Sequence, residues 1–214
     1  MRIGLPTVPR MRIGILGTGT LASALAESWA RAGHDIEIGG RSPAKALAIA
    51  EKVGGRAVQP REVVRDKDAV LLAVSWAGIE DVLRGAGAAD GTLRGTPLIE
   101  PTNAVEHGVG VLLTETSAAQ RVAELAPGAH VVKAFHLFAA DQWTKPDAEP
   151  VTVAMCGDDT EAVRVVSELV RDAGGNPAVL GPLSRARQLE EAARFVIGLA
   201  FSGFDPNSAV PRVG

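Results

Sequence analysis

The hexapeptide Gly17-Thr18-Gly19-Thr20-Leu21-Ala22 constrains this chain more than any other stretch. It follows the apolar run MRIGIL and opens a segment in which Leu21, Leu25 and Trp29 recur every four residues, the stripe of an amphipathic helix. A strand that turns sharply into a helix needs particular residues at the turn. Gly17 permits the tight reversal, Gly19 lets a ligand approach the backbone without a Cβ in the way, and Ala22 lets the helix lie close to the sheet. The N–H groups at such a helix start face outward with the positive end of the helix dipole, which suits a pyrophosphate. A second apolar run, Ile36–Gly39, follows at the spacing of a βαβ unit. Together these features predict a dinucleotide site on Gly17, Thr18, Gly19, Thr20, Leu21 and Ala22. A tight turn without a ligand does not call for so complete a set.

The end of the second run discriminates between cofactors. A site for NAD(H) places Asp or Glu there to bind the ribose 2′-hydroxyl. This chain has Gly39-Gly40-Arg41-Ser42-Pro43 instead. Arg41 offers a guanidinium fork to a 2′-phosphate, and Ser42 adds a hydroxyl at the start of the next helix. Asp35 and Glu37 stand too early in the run to replace the missing acid. NADP(H) is the expected cofactor.

Further apolar runs at Ala69–Val74, Pro97–Ile99, Val131–Phe135, Val151–Met155 and Ala178–Leu180 read as strands covered on both faces. Helical patterns alternate with them: Pro43–Val53, a segment from Asp158 to about Ala173, and one from Ser184 to about Phe201. Asp158 followed by Glu161 resembles a capping box, and Gly174-Gly175 closes that helix. The alternation predicts an α/β fold, a Rossmann-type doubly wound, mainly parallel sheet with a small C-terminal strand–helix extension. The expected organisation is a disordered arm over 1–10, a nucleotide-binding domain over 11–150 and an extension over 151–214. The arm is suggested by MRIG at Met1–Gly4, repeated at Met11–Gly14, where only the second copy leads into a strand.

Composition narrows the function classes. The net charge is −3 and Tyr is absent, so neither an electrostatic nor a base-stacking case exists for nucleic acid. No apolar run approaches the roughly 20 residues of a membrane span. Pro6 and Pro9 interrupt what would be a signal peptide. The single Cys156 leaves no internal disulfide and no multi-cysteine metal site, and a cytoplasmic location is expected. No zinc-type His/Cys cluster is present, so no metal is expected.

In this combination the chain resembles the NADP-dependent oxidoreductases of the coenzyme F420 type. The likeness is carried by GTGTLA, by GGRSP and by Val74-Ser75-Trp76. It continues through Cys156-Gly157-Asp158-Asp159 and Gly181-Pro182-Leu183-Ser184, with Arg187, Leu189 and Glu190 after it. The resemblance implies hydride exchange between NADP(H) and a deazaflavin. It places Val74, Ser75 and Trp76 beside the cofactor and makes the Gly181–Ser184 segment a wall of the second-substrate pocket. Asn103, also at a strand end, joins the cofactor-binding set. Packing is the other reading for Trp76, and a turn the other reading for Asn103.

His136 ends an apolar run where the second substrate is expected, and it is the catalytic candidate. In a reductase of a small imine or ketone it would protonate the product heteroatom; a hydrogen-bonded structural histidine is the alternative. His34 reads as structural, and Cys156 as a small apolar residue of a buried strand. A regulatory module that binds NAD(P)(H) without turnover is a further alternative. The apolar residues of the last helix suggest a homodimer.

Overall fold

The computed structural model describes residues 10–104 and 116–211. The apolar runs form β1 (Arg12–Leu16), β2 (Asp35–Gly39), β4 (Ala69–Leu72), β5 (Pro97–Glu100), β6 (His130–Lys133), β7 (Thr152–Gly157) and β8 (Asn176–Val179). A two-residue edge strand, β3 (Arg56–Ala57), is too short to show any periodicity in the sequence. All eight join one sheet in the order 3-2-1-4-5-6-7-8. Every pairing is parallel except β6 with β7. This is the Rossmann-type doubly wound fold that the alternation predicts. The C-terminal extension continues the same sheet through β7 and β8.

Helices cover both faces, as buried parallel strands require. On one face α1 (Thr20–Arg31), α2 (Pro43–Val53) and α6 (Thr160–Asp172) bury Leu25, Trp29, Ile49, Val166 and Leu169 against Ile13, Ile15 and Leu71. On the other, α3 (Pro60–Val63), α4 (Ile79–Ala86), α5 (Ala118–Leu125) and α7 (Ala186–Phe201) bury Val63, Ile79, Val122 and Leu189 against Leu16, Val70 and Leu72. Alternate strand residues thus serve opposite cores.

Several local expectations shift. The cap of α6 is Asp159, which accepts the Ala162 N–H at 2.8 Å, one residue later than the capping-box reading. Asp158 instead accepts the Leu183 N–H at 2.8 Å, and Glu161 pairs with Arg164. β4 and β6 end earlier than their apolar runs, so Val74, Phe135 and His136 are loop residues at the carboxyl edge of the sheet. Phe135 turns there with φ +61 and packs edge-on between Trp29 and Trp143. Trp143 is therefore core. His34 is structural as expected: Nδ1 accepts the Met11 N–H at 3.1 Å, leaving Nε2–H for Asp172 at 3.0 Å.

The expected arm lies outside the described residues, apart from Arg10, which pairs with Asp35. Among the described residues no helix is long and apolar enough to cross a membrane.

Candidate dinucleotide-binding site

The two glycines of the turn answer to different causes. Gly17 has φ +132, and a Cβ there would lie 2.0 Å from the Ala73 carbonyl oxygen. Backbone conformation and neighbour both demand glycine. Gly19 sits at φ −83 and ψ −178, extended backbone that any residue adopts, and a Cβ there would meet nothing within 4 Å. Nothing among the described residues needs glycine at this position. The remaining physical reason is close approach from outside the chain, the role of a dinucleotide pyrophosphate.

The helix that follows is left open in the same way. No side chain caps α1, and no acid stands in its first turn. α2, α5 and α6 are capped by Ser42, Ser117 and Asp159. The uncapped first-turn N–H groups of α1 remain to be satisfied by solvent or by an anion.

Gly17, Thr18 and Gly19 line a cavity of about 450 Å³ together with Gly40, Arg41, Ser42 and Lys45 from the β2–α2 connection, and Val74 and Ser75 after β4. Lys45 is the residue that sequence reasoning missed. It sits three residues past the Ser42 cap, and its own N–H is held by the Ser42 hydroxyl at 3.4 Å. A lysine there opposes the helix dipole, which favours acids in a first turn, and α2 has no acid in that turn. That mismatch was the available signal. The side chains of Arg41 and Lys45 have no ion-pair partner among the described residues. Glu37 is engaged by Lys67 and Arg56, and Asp35 by Arg10, so neither competes for the site.

The cavity thus gathers seven of the residues expected at the cofactor. Thr20 is exposed in the first turn of α1, Leu21 and Ala22 pack toward the core, and none of the three lines the cavity. Trp76 is half-buried against the core beneath α4 and does not line the cavity.

Comparison with known proteins bears on this same segment. Residues 12–104 match the family described as NADP oxidoreductase, coenzyme F420-dependent. The match is confined to the amino-terminal half of the chain. Metalloreductase STEAP3 of Rattus norvegicus is 30% identical over 182 residues, covering 84% of this chain and 36% of the relative. The chain therefore spans about a third of that relative's length. A protein of Arthrobacter sp. FB24 described as a candidate F420-dependent NADP-reductase superposes with a TM-score of 0.76 at 23% identity, covering 92% of this chain and 96% of that one. A reductive aminase from Aspergillus terreus, solved with NADPH and ethyl-5-oxohexanoate, gives a TM-score of 0.69 at 21% identity, covering 91% and 63%. At such identities these structural likenesses establish the fold.

The family match ends at Ala104, so the β6 end of the edge rests on its own geometry. Asn103 Nδ2 donates to the His136 carbonyl at 2.6 Å. This fixes the amide orientation and leaves Asn103 Oδ1 buried without a partner among the described residues, as is His136 Nδ1. Burial, and then the neighbouring Lys133 ammonium, push the His136 imidazole down to about 3, against a hydrogen bond to the Leu189 backbone. At neutral pH the ring is uncharged. It stands at the carboxyl edge of β6 but outside the cavity lining. Cys156 is buried in β7, and burial raises its thiol to about 11, so no thiolate forms there at neutral pH.

Proposed function

We propose that this chain is an NADP(H)-dependent oxidoreductase that exchanges hydride between NADP(H) and a deazaflavin of the coenzyme F420 type. The observation that carries the cofactor half is one constellation in one cavity. Gly19, where a Cβ would meet nothing among the described residues, lines the same space as Arg41 and Lys45, two cations without an ion-pair partner among the described residues. A 2′-phosphate is the anion that would satisfy the guanidinium fork, the ammonium and the Ser42 hydroxyl together. With the adenosine end held beside β2 and the pyrophosphate at Gly17–Gly19, the nicotinamide half extends past Val74 and Ser75 toward the ends of β4 and β5.

When bound, NADP(H) supplies the hydride. The residues of the chain bind it, orient it and exclude water. Hydride exchange with a deazaflavin needs donor and acceptor carbons held about 3–3.5 Å apart and no obligatory acid. This suits an edge whose histidine is buried and neutral. Reduction of an imine or ketone must add a proton to the product, and His136 in its present state is poorly equipped to provide one.

The test follows NADPH absorbance after mixing with an oxidised deazaflavin, with NADH in parallel. The panel also holds an imine, a ketone and, because the rat relative is named a metalloreductase, a ferric chelate. Consumption of NADPH by the deazaflavin alone is expected. Turnover confined to another acceptor would replace the deazaflavin, and tight binding without any turnover would replace catalysis with a regulatory role. The homodimer is a proposal for α7, which among the described residues buries none beyond Ala193 and exposes Phe195 and Phe201. A monomeric mass by light scattering would remove it.

A further inference from the structure

Lys133 closes β6 in register with Glu100 at the end of β5. Both side chains are fully buried, and Glu190 of α7 joins them at 1% exposure. The Lys133 ammonium donates to Glu100 at 2.8 Å, to Glu190 at 2.9 Å and to the backbone carbonyl of Thr102. That is its full capacity. Glu100 returns to the same loop, accepting the Thr102 N–H at 2.6 Å. Glu190 accepts the Ala118 N–H at the start of α5 at 3.0 Å. The Thr102 hydroxyl donates to the Val74 carbonyl at 3.3 Å, and Val74 lines the dinucleotide cavity.

Stability alone does not account for this cluster, because well-packed apolar side chains of similar volume serve a core as well or better. Two carboxylates share one ammonium out of water, and burial pushes the Glu190 carboxyl above its ordinary range. What the ions provide, and leucines would not, is hydrogen bonding to chosen backbone atoms. The N–H and C=O of Thr102 are both held this way, so the loop from Pro101 to Asn103 has little freedom. That loop stands at the end of β5, beside β4. It lies on the path of the nicotinamide half of a dinucleotide anchored over β2 and β1.

We propose that Lys133 is a positioning residue: acting through Glu100 and Thr102, it holds the 101–103 loop in the shape that receives the nicotinamide half of the cofactor. The proposal rests on the dinucleotide reading above. Glu190 extends the same latch to α7, so the seat of that helix and the shape of the loop are set together.

Lys133→Met alone leaves two buried carboxylates uncompensated and endangers the fold. The informative protein is the triple variant Lys133→Met/Glu100→Gln/Glu190→Gln. It keeps the volumes and the acceptors for Thr102 and Ala118, and removes the charges and the bond to the Thr102 carbonyl. Two ligands are titrated by calorimetry into wild type and variant: NADPH, and adenosine 2′,5′-bisphosphate, which lacks the nicotinamide half. NADPH is expected to bind about ten-fold more weakly or worse to the variant, while the bisphosphate changes by about two-fold at most. Unchanged NADPH affinity, or a parallel loss for both ligands, would overturn the proposal. So would a triple variant without native circular dichroism, because the cluster would then be an element of global stability. A wild-type protein that binds neither ligand removes the dinucleotide reading itself and is distinguished by that result.

Discussion

β1 and β2 end in two depressions of similar size, about 420 Å³ at their amino ends and about 450 Å³ at their carboxyl ends. Both are rich in basic side chains. At the amino end each of these has an acid: Arg10 has Asp35, Arg12 has Asp68 at 3.0 Å, and Arg56 and Lys67 share Glu37. At the carboxyl end Arg41 and Lys45 have none among the described residues, and the adjacent α1 is uncapped. Cations alone do not mark a ligand site. Two cations left without counter-charges in one cavity are charge that an arriving anion would neutralise.

Each half of that contrast can be attacked by substitution. The largest effect is expected from Arg41→Ala. Loss of a charge-assisted contact of roughly 1.5–3 kcal/mol should weaken NADPH about 10- to 100-fold and leave NADH nearly unaffected. Equal losses for both cofactors in parallel titrations would detach Arg41 from the 2′-phosphate. Gly19→Ala comes next, with unfolding in urea close to wild type, since the chain has room for the methyl group, and NADPH affinity down about ten-fold. If stability fell and binding did not, the glycine would belong to the fold.

At the amino end, Arg12→Ala should leave NADPH affinity unchanged and cost a little stability. The partners there give that stability a defined pH dependence. Arg12 holds the Asp68 carboxyl below its ordinary range, as Arg10 does for Asp35. The contribution is complete above the ordinary carboxylate range, about pH 4, and is lost as pH falls through the lowered native values. Urea midpoints measured from neutral to acid pH should therefore fall less steeply in Arg12→Ala than in wild type. The smallest effect is the most diagnostic. Lys45→Glu should stabilise the ligand-free protein by roughly 0.3–1 kcal/mol, by restoring an acid to the first turn of α2, while weakening NADPH. A variant that loses on both counts would show Lys45 to be structural.

The same contrast shows which parts of the site were legible in the sequence. Gly17, Gly19, Arg41 and Ser42 are local: a turn, a helix start and a strand end fix their mutual geometry within a few residues, so spacing reveals them. Lys45 was readable in principle as a lysine where a helix prefers an acid. Trp76 carried two readings, cofactor border and packing, and only the assembled core shows it half-buried there. Asp158 and Asp159 are adjacent acids of equal capping ability, and the seating of Leu183 decides which of them caps α6.

The sequence by itself determined the doubly wound alternation, seven of the eight strands and the strand–turn–helix at Gly17–Ala22, but not β3 or the helices α3, α4 and α5. Periodicity and turn stereochemistry are properties of neighbouring residues. Only the tertiary structure decided the other end of the edge, where Glu100, Lys133 and Glu190 come together. These residues lie 33 and 57 positions apart along the chain, and no local pattern announces the meeting. In the sequence Glu100 follows an apolar run, Lys133 interrupts one and Glu190 rides a helix. Burial, which only the assembled sheet and α7 create, turns three ordinary charges into one network with a direction.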